Sequence, residues 1–342
     1  LTEGNADMVS MARPFLADPK LVLKSIEGRP EEINTCIACN QACLDHTFTM
    51  QVSSCIVNPR ACHETILVHE PSKQKKKIAV VGAGPAGLEA ATVAAKRGHA
   101  VVLFEEKHEI GGQFNMAKII PGKEEYDQTI RYYDSMLKKY GVEVRLDSRA
   151  EEATLIAEAY DEIILATGVI PRTLEIEGID HHKVMDYVDV LYKKKTVGDK
   201  VAILGSGGIG FDMAEYLAHD MAHESASMNT ENYMKEWGVD MTYATGGALA
   251  EAPQPLSSPR EIYLLKRSKG KHGKNLGKTT GWIHRSSLTM KEVKMMSDVS
   301  YEKIDDLGLH IKVGEDLKVL DVDHVIICAG QVSLKELEEG LL

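Results

Sequence analysis

From residue 77 onward the chain alternates short, almost wholly apolar runs with glycine-rich turns and amphipathic stretches. KIAVVGAGPAG carries an apolar run into glycines, residues 85–97 read as a helix, and AVVLFEE reads as a second strand. An unbroken apolar run bounded by turn residues is the pattern of a strand covered on both faces. A further helix is expected over 123–139 and another buried strand at EIILATG, residues 162–168. At residue 200 the theme restarts with KVAILGSGGIGFDMAEYLA; EIYLLKR then ends a strand at Arg267, and DHVIICAG (323–330) supplies one more. Two strand–glycine–helix units predict an α/β fold with two Rossmann-like, doubly wound dinucleotide-binding domains.

The flanks read differently. Residues 1–22 suggest a short apolar strand, a turn and a helix, too little for a domain. Residues 23–75 form an irregular connector that ends in the charged linker HEPSKQKKK. The expected domains are therefore 76–185 and 186–342, with a polar insertion over 219–259. The chain begins at Leu1 and ends at Leu342 inside a strand-rich pattern, so a piece of a longer protein is expected.

The connector holds the first chemistry. Cys36, Cys39, Cys43 and Cys55 read C-x2-C-x3-C-x11-C. Thiolates of this kind suit an iron–sulfur cluster, often with three ligands close together and one remote. Zinc sites more often present two paired hooks. Spacing alone leaves the fourth ligand open between Cys55 and Cys62. Cys328 lies in an apolar strand and reads as a small core residue.

The glycines hold the second. In Gly82-x-Gly84-x-x-Gly87 the first glycine permits a tight turn, the second lets backbone approach a pyrophosphate, and the third packs helix on strand. The helix start offers N–H groups to the phosphates. Glu105 closes the next strand, where an acid binds ribose hydroxyls. GGQF (111–114) and ATG (166–168, ending in Gly168) suit a flavin domain. Gly205-x-Gly207-x-x-Gly210 repeats the motif. Its next strand ends in Lys266 and Arg267, with Lys269 close by, and no acid stands there. Basic residues at that place accommodate a 2′-phosphate, so NADPH is expected over NADH. Arg13, at a turn before a helix, could hold a phosphate or form a structural ion pair. His46, His63 and His284 read as structural or surface residues.

Bulk properties narrow the class. The net charge of −11 argues against nucleic acid as a partner. No apolar run has the length of a membrane span and no export signal is visible. Clustered cysteines without an export signal fit a reducing, cytoplasmic setting.

Together MVSMARPFLADP, INTCIACNQACLD, SCIVNPRACHE, GGQFN and LGKTTGWIHR resemble the bacterial 2,4-dienoyl-CoA reductases. These belong to the old yellow enzyme-related iron–sulfur flavoproteins, with trimethylamine dehydrogenase and the enoate reductases. The resemblance implies the tail of an FMN-binding β/α barrel at 1–22, a [4Fe–4S] connector at 23–75, an FAD domain, and an NADPH domain inserted in it. It implies that Ala12 and Arg13 touch the FMN phosphate and that Cys36, Cys39, Cys43 and Cys55 are the cluster ligands, against Cys62. It places Gly87, Glu105, Gln113 and Ala150 on or beside FAD, and Arg267 on the NADPH phosphate. Ser268 departs from the family's basic neighbour, a role Lys266 or Lys269 would take. Electrons would pass from NADPH to FAD, the cluster, FMN and a 2,4-dienoyl-CoA thioester, in β-oxidation of unsaturated fatty acids. Most of the barrel is absent, so no catalytic residue is expected here, and the segment returning to the FAD domain is expected to be missing. The alternatives are a related enone, enoate or amine enzyme, or a stand-alone electron-transfer module.

Overall fold

The computed structural model describes residues 2–250 and 252–341. Its apolar runs are the inner strands of two parallel sheets. In the first, β1 (Lys77–Val81), β2 (Ala100–Phe104), β3 (Glu143–Arg145) and β4 (Glu162–Leu165) lie in the order β3-β2-β1-β4. Ile78 and Val80 pack on one face with Leu88, Leu103 and Tyr133. Ala79 and Val81 pack on the other with Phe104 and Leu155. Both faces of β1 are covered, which is why its sequence shows no polar alternation.

The chain then forms β5 (Val169–Pro171), β6 (Val184–Asp186), β7 (Lys200–Leu204), β8 (Glu261–Leu265) and β9 (Lys294–Met296). β10 (Val299–Asp305), β11 (Gly308–Val313), β12 (Asp316–Leu320), β13 (His324–Ile327) and β14 (Gln331–Ser333) follow. The second parallel sheet has the order β6-β13-β7-β8-β9, β10-β11-β12 is antiparallel, and β5 pairs with β14. Val201 and Ile203 face one core with Phe211 and Leu264, while Ala202 and Leu204 face another with Leu309 and Val325.

The chain divides into two compact units: Leu1–Asn115, Glu125–Gly168 and Ser333–Leu342 form one, Met116–Glu124 and Val169–Val332 the other. The second is thus inserted in the first. Several expectations are corrected here. The boundary expected between 185 and 186 cuts through β6, which pairs with β13 of the second sheet. The return segment is not wholly missing. Thr167 Oγ1 donates to the Leu334 carbonyl at 2.7 Å, Leu334 N–H donates to Gly168 O at 3.0 Å, and Leu337 packs with Phe104 and Leu155. The strand expected near the start is absent among the described residues; helices Arg13–Ala17 and Leu21–Ile26 come first, and Met8 and Val9 are exposed. An extended segment without a partner strand has no ladder to join. EIILATG shortens to β4, a half-exposed edge strand rather than a buried one. The helix expected at 123–139 is Tyr126–Tyr140.

Within the first unit the connector is tied to helix Tyr126–Tyr140 by Arg131 and by the Lys139–Glu32 ion pair. Arg131, on helix Tyr126–Tyr140, donates to the carbonyls of Glu31 at 2.7 Å and Ile33 at 2.9 Å. Asp18 is buried and accepts from Asn34 N–H at 3.0 Å and from Lys24 Nζ at 2.5 Å. These bonds order backbone just ahead of the first cysteine.

Candidate functional site

The connector wraps its cysteines around a single cavity. Cys36, Cys39, Cys43 and Cys55 line it together with Arg13, Leu16, Ile37 and Asn40. Ala38 and Asn40 take positive φ, 54° and 60°, which turns the chain sharply between ligands. A π-helical turn at Gln41–Asp45 carries Cys43. Cys55 bridges to Asn58, whose side-chain amide donates to Leu16 O at 2.8 Å and ties the remote cysteine to the first helix. Cys62 is exposed and does not line the cavity. Cys328 is buried in the second unit, and its burial raises the thiol pKa far above the ordinary range.

Burial also pushes the Cys39 and Cys55 thiols up, with neighbouring thiols adding to it. As thiolates they would need a positive group among them, which a metal centre supplies. Four thiols on one cavity are a donor set for zinc or for an iron–sulfur cluster.

Arg13 forms part of this wall. Its guanidinium donates to Asn40 Oδ1, so its charge is turned toward the cysteine segment. Ala12 precedes it, exposed, at the N-cap of helix Arg13–Ala17.

The first glycine turn is built with the strain its sequence requires. Gly82 has φ +102°, and a Cβ there would lie 2.4 Å from Ala166 O; one at Gly87 would lie 1.8 Å from Gly82 O. At Gly84 a Cβ would meet nothing within 4 Å. Open space over Gly84 is the cradle a pyrophosphate needs. Helix Pro85–Lys96 begins there without a side-chain cap, leaving its first amides for an anion.

Glu105 is buried, and its two oxygens accept from Ala83 N–H at 2.8 Å and Lys107 N–H at 3.1 Å. It fastens the turn to the end of β2 and keeps lone pairs for a ribose hydroxyl. The GGQF turn lies against the same place: a Cβ at Gly112 would lie 2.8 Å from Gly84 Cα. That brings half-buried Gln113 beside the cradle. Gly168 (φ +75°) follows the Ala166 that abuts Gly82, with open space at its own Cα. Ala150 is buried in the core with Phe104 and Leu155.

The second turn repeats the first. A Cβ at Gly205 (φ +118°) would lie 2.4 Å from Cys328 O, one at Gly210 1.8 Å from Gly205 O, and one at Gly207 within 4 Å of nothing. Helix Gly208–Ala218 starts uncapped. At the end of β8, Lys266 Nζ donates to Lys271 O at 2.9 Å, so it folds its own loop. Lys269 lies 3.5 Å from Asp298. Arg267 is exposed and has no ion-pair partner among the described residues, which leaves its charge for a ligand. His284 is half-buried beside the Lys123–Asp212 ion pair (2.6 Å), and burial lowers its pKa. Asn40 was missed by sequence reasoning, whereas Gly112 lies in the GGQF motif that the sequence had singled out.

Comparison with known proteins agrees with this geometry. Residues 76–341 match the family model described as pyridine nucleotide-disulphide oxidoreductase. A metal reductase of Desulforamulus reducens is 33% identical over 345 residues, covering 100% of this chain and 50% of the relative. A cinnamate reductase of Clostridium sporogenes is 37% identical over 337 residues, covering 98% of this chain and 45% of the relative. A 2-naphthoyl-CoA reductase structure superposes with a TM-score of 0.85 at 31% identity, over 100% of this chain and 46% of that one. The chain thus spans about half the length of the curated relatives it matches. Among the described residues no helix is long and apolar enough to cross a membrane.

Proposed function

The chain belongs to the pyridine nucleotide-disulphide oxidoreductase family, and from that premise we propose that it is the electron-input part of an iron–sulfur flavoprotein reductase. The observation that carries the reading is one unit holding both a dinucleotide-type glycine turn and a four-thiol cavity. FAD would supply hydride acceptance, the [4Fe–4S] cluster single-electron transfer, and FMN reduction of the substrate.

The chain's own residues have separate tasks. Gly82, Gly84 and Gly87 shape a turn whose helix amides bind the FAD pyrophosphate, with Glu105, Gln113, Ala150 and Gly168 around it. Cys36, Cys39, Cys43 and Cys55 hold the cluster. Gly205, Gly207 and Gly210 bind the second dinucleotide, with Arg267 on its 2′-phosphate and Lys266 shaping the loop beside it. Ala12 and Arg13 are assigned to the FMN phosphate.

For substrate, the narrower reading is a 2,4-dienoyl-CoA thioester, supported by LGKTTGWIHR and the polar stretch ahead of β8. Relatives named for cinnamate and 2-naphthoyl-CoA support reduction of a conjugated acyl group in general. Amine-oxidising relatives such as the N,N-dimethylglycine/sarcosine dehydrogenase of Chromohalobacter salexigens, 31% identical, make an amine the competing substrate class. The setting proposed is cytoplasmic.

The test is anaerobic reconstitution of the chain with FAD, iron and sulfide. NADPH should bleach the flavin and drive ferricyanide reduction. Failure of both NADPH and NADH to reduce the flavin would overturn the electron-input role.

Cofactor choice gives a sharper expectation. Losing charge-assisted hydrogen bonds to a 2′-phosphate costs about 1.5–3 kcal/mol. Arg267→Ala should therefore weaken NADPH by that amount and leave NADH nearly unchanged in flavin-reduction titrations. Equal losses for both would remove this arginine from phosphate recognition.

A further inference from the structure

The second unit carries three metal-binding side chains that the dinucleotide reading does not use. His181, His182 and Asp306 each place one ligating atom within 4.8 Å of the other two. His181 Nε2 lies 3.2 Å from Asp306 Oδ1. The two imidazoles are 4.2 Å apart between centroids, tilted by 37°. An ordinary His–Asp hydrogen bond accounts for the first contact. It gives no reason for His182 to converge on the same point.

The frame behind these groups is well tied. The histidines lie just before β6, and Asp306 sits in the turn between β10 and β11. Glu177 O accepts from Ile304 N–H at 2.8 Å, and His181 N–H donates to Gly178 O at 3.0 Å. A Cβ on Gly178 would lie 2.0 Å from Ile304 O, so only glycine lets this loop lie so close to the hairpin. Lys183 Nζ donates to Asp306 O and Val322 O, both at 2.9 Å. The donors are thus held by backbone that is already ordered, which lowers the entropy cost of chelation.

We propose that His181, His182 and Asp306 form a surface site for a divalent transition-metal ion, which clamps the loop before β6 to the β10–β11 turn. Two imidazoles and one carboxylate suit Zn2+, Ni2+ or Cu2+ and disfavour Mg2+ and Ca2+, which take oxygen donors. Water completes the coordination, since His182 and Asp306 are exposed. The Lys183 ammonium nearby opposes the cation and holds the affinity to a moderate value. The site is independent of the cysteine cavity and of both glycine turns.

Calorimetric titration of the full chain with Ni2+ tests this, beside His182→Asn and Asp306→Asn. Both positions are exposed, so the fold should survive, and circular dichroism checks that it does. Binding at the thiols is common to all three proteins and cancels in the comparison. Beyond the events common to all three, the wild type should show one further binding event that each variant weakens about tenfold or more, since even a changed outer-shell partner costs 10–100-fold in metal affinity. Ni2+ should also raise the melting temperature of the wild type and not of the variants. Identical isotherms for wild type and both variants would overturn the proposal.

Discussion

Replacing Cys55 with serine should abolish cluster retention while leaving the dinucleotide turns intact. Cys55 is the remote member of the set, yet it lines the same cavity as Cys36, Cys39 and Cys43. It is anchored there by the bridge to Asn58 and by the Asn58 amide on Leu16 O. A serine hydroxyl has nearly the same shape but is a poor ligand for iron at neutral pH. Changes in groups that merely orient a ligand cost about 10–100-fold in metal affinity, so losing a direct ligand should cost at least as much. After anaerobic reconstitution, iron and sulfide should fall to background in Cys55→Ser. In Cys62→Ser, whose residue is exposed and outside the cavity, they should stay at the wild-type level. Full cluster content in Cys55→Ser, or zinc alone in the wild type, would refute the assignment. Flavin content is the internal control, because Gly84 and its helix belong to other elements of the chain.

A pair of glycine substitutions should separate flavin binding from folding. A side chain at Gly84 meets nothing within 4 Å, and the backbone there, φ −74° and ψ 177°, is open to any residue. Gly84→Val should therefore fold with wild-type stability. Its branched side chain would stand where the pyrophosphate must approach, so FAD retention should drop by two orders of magnitude or so, roughly the factor that ~3 kcal/mol of lost contacts implies. Gly87→Ala inverts the outcome. Its Cβ would lie 1.8 Å from Gly82 O, a backbone atom fixed at the end of β1, so helix and strand must separate. The expected cost is about 3 kcal/mol or more, at the severe end for single substitutions. Thermal unfolding and flavin content, measured on both variants, decide the matter. Should Gly84→Val lose stability as well, or keep its flavin, the open cradle is not the flavin site.

Much of this was legible beforehand because the signals are local. The runs KIAVV and KVAIL must be strands covered on both faces, since no polar position interrupts them, and they are β1 and β7. The glycines at 82, 87, 205 and 210 were readable because backbone contact forbids a Cβ at each. The antiparallel sheet over 299–320 was not foreseen. Its alternation is blurred where Tyr301 and Lys303 shift register, and its pairing depends on the turn at Asp306 rather than on any apolar run. Strand 162–168 read as buried because its residues are apolar, yet Leu165 is 37% exposed on an edge. Composition cannot distinguish an edge strand from a central one.

The sequence by itself determined two doubly wound domains, two dinucleotide turns and a four-cysteine set, since residue type and short spacing carry each of these. Tertiary structure decided what depends on distant partners. It brought Cys55 rather than Cys62 to the cavity through Asn58 and Leu16. It turned Arg13 toward Asn40 and spent Lys266 on its own loop, leaving Arg267 exposed. It carried residues 333–342 back to the first unit, and it set two adjacent histidines beside an aspartate some 125 positions away in the chain. Each of these is a contact between segments far apart in sequence, whose closeness is set by the packing of whole sheets and leaves no local pattern to read.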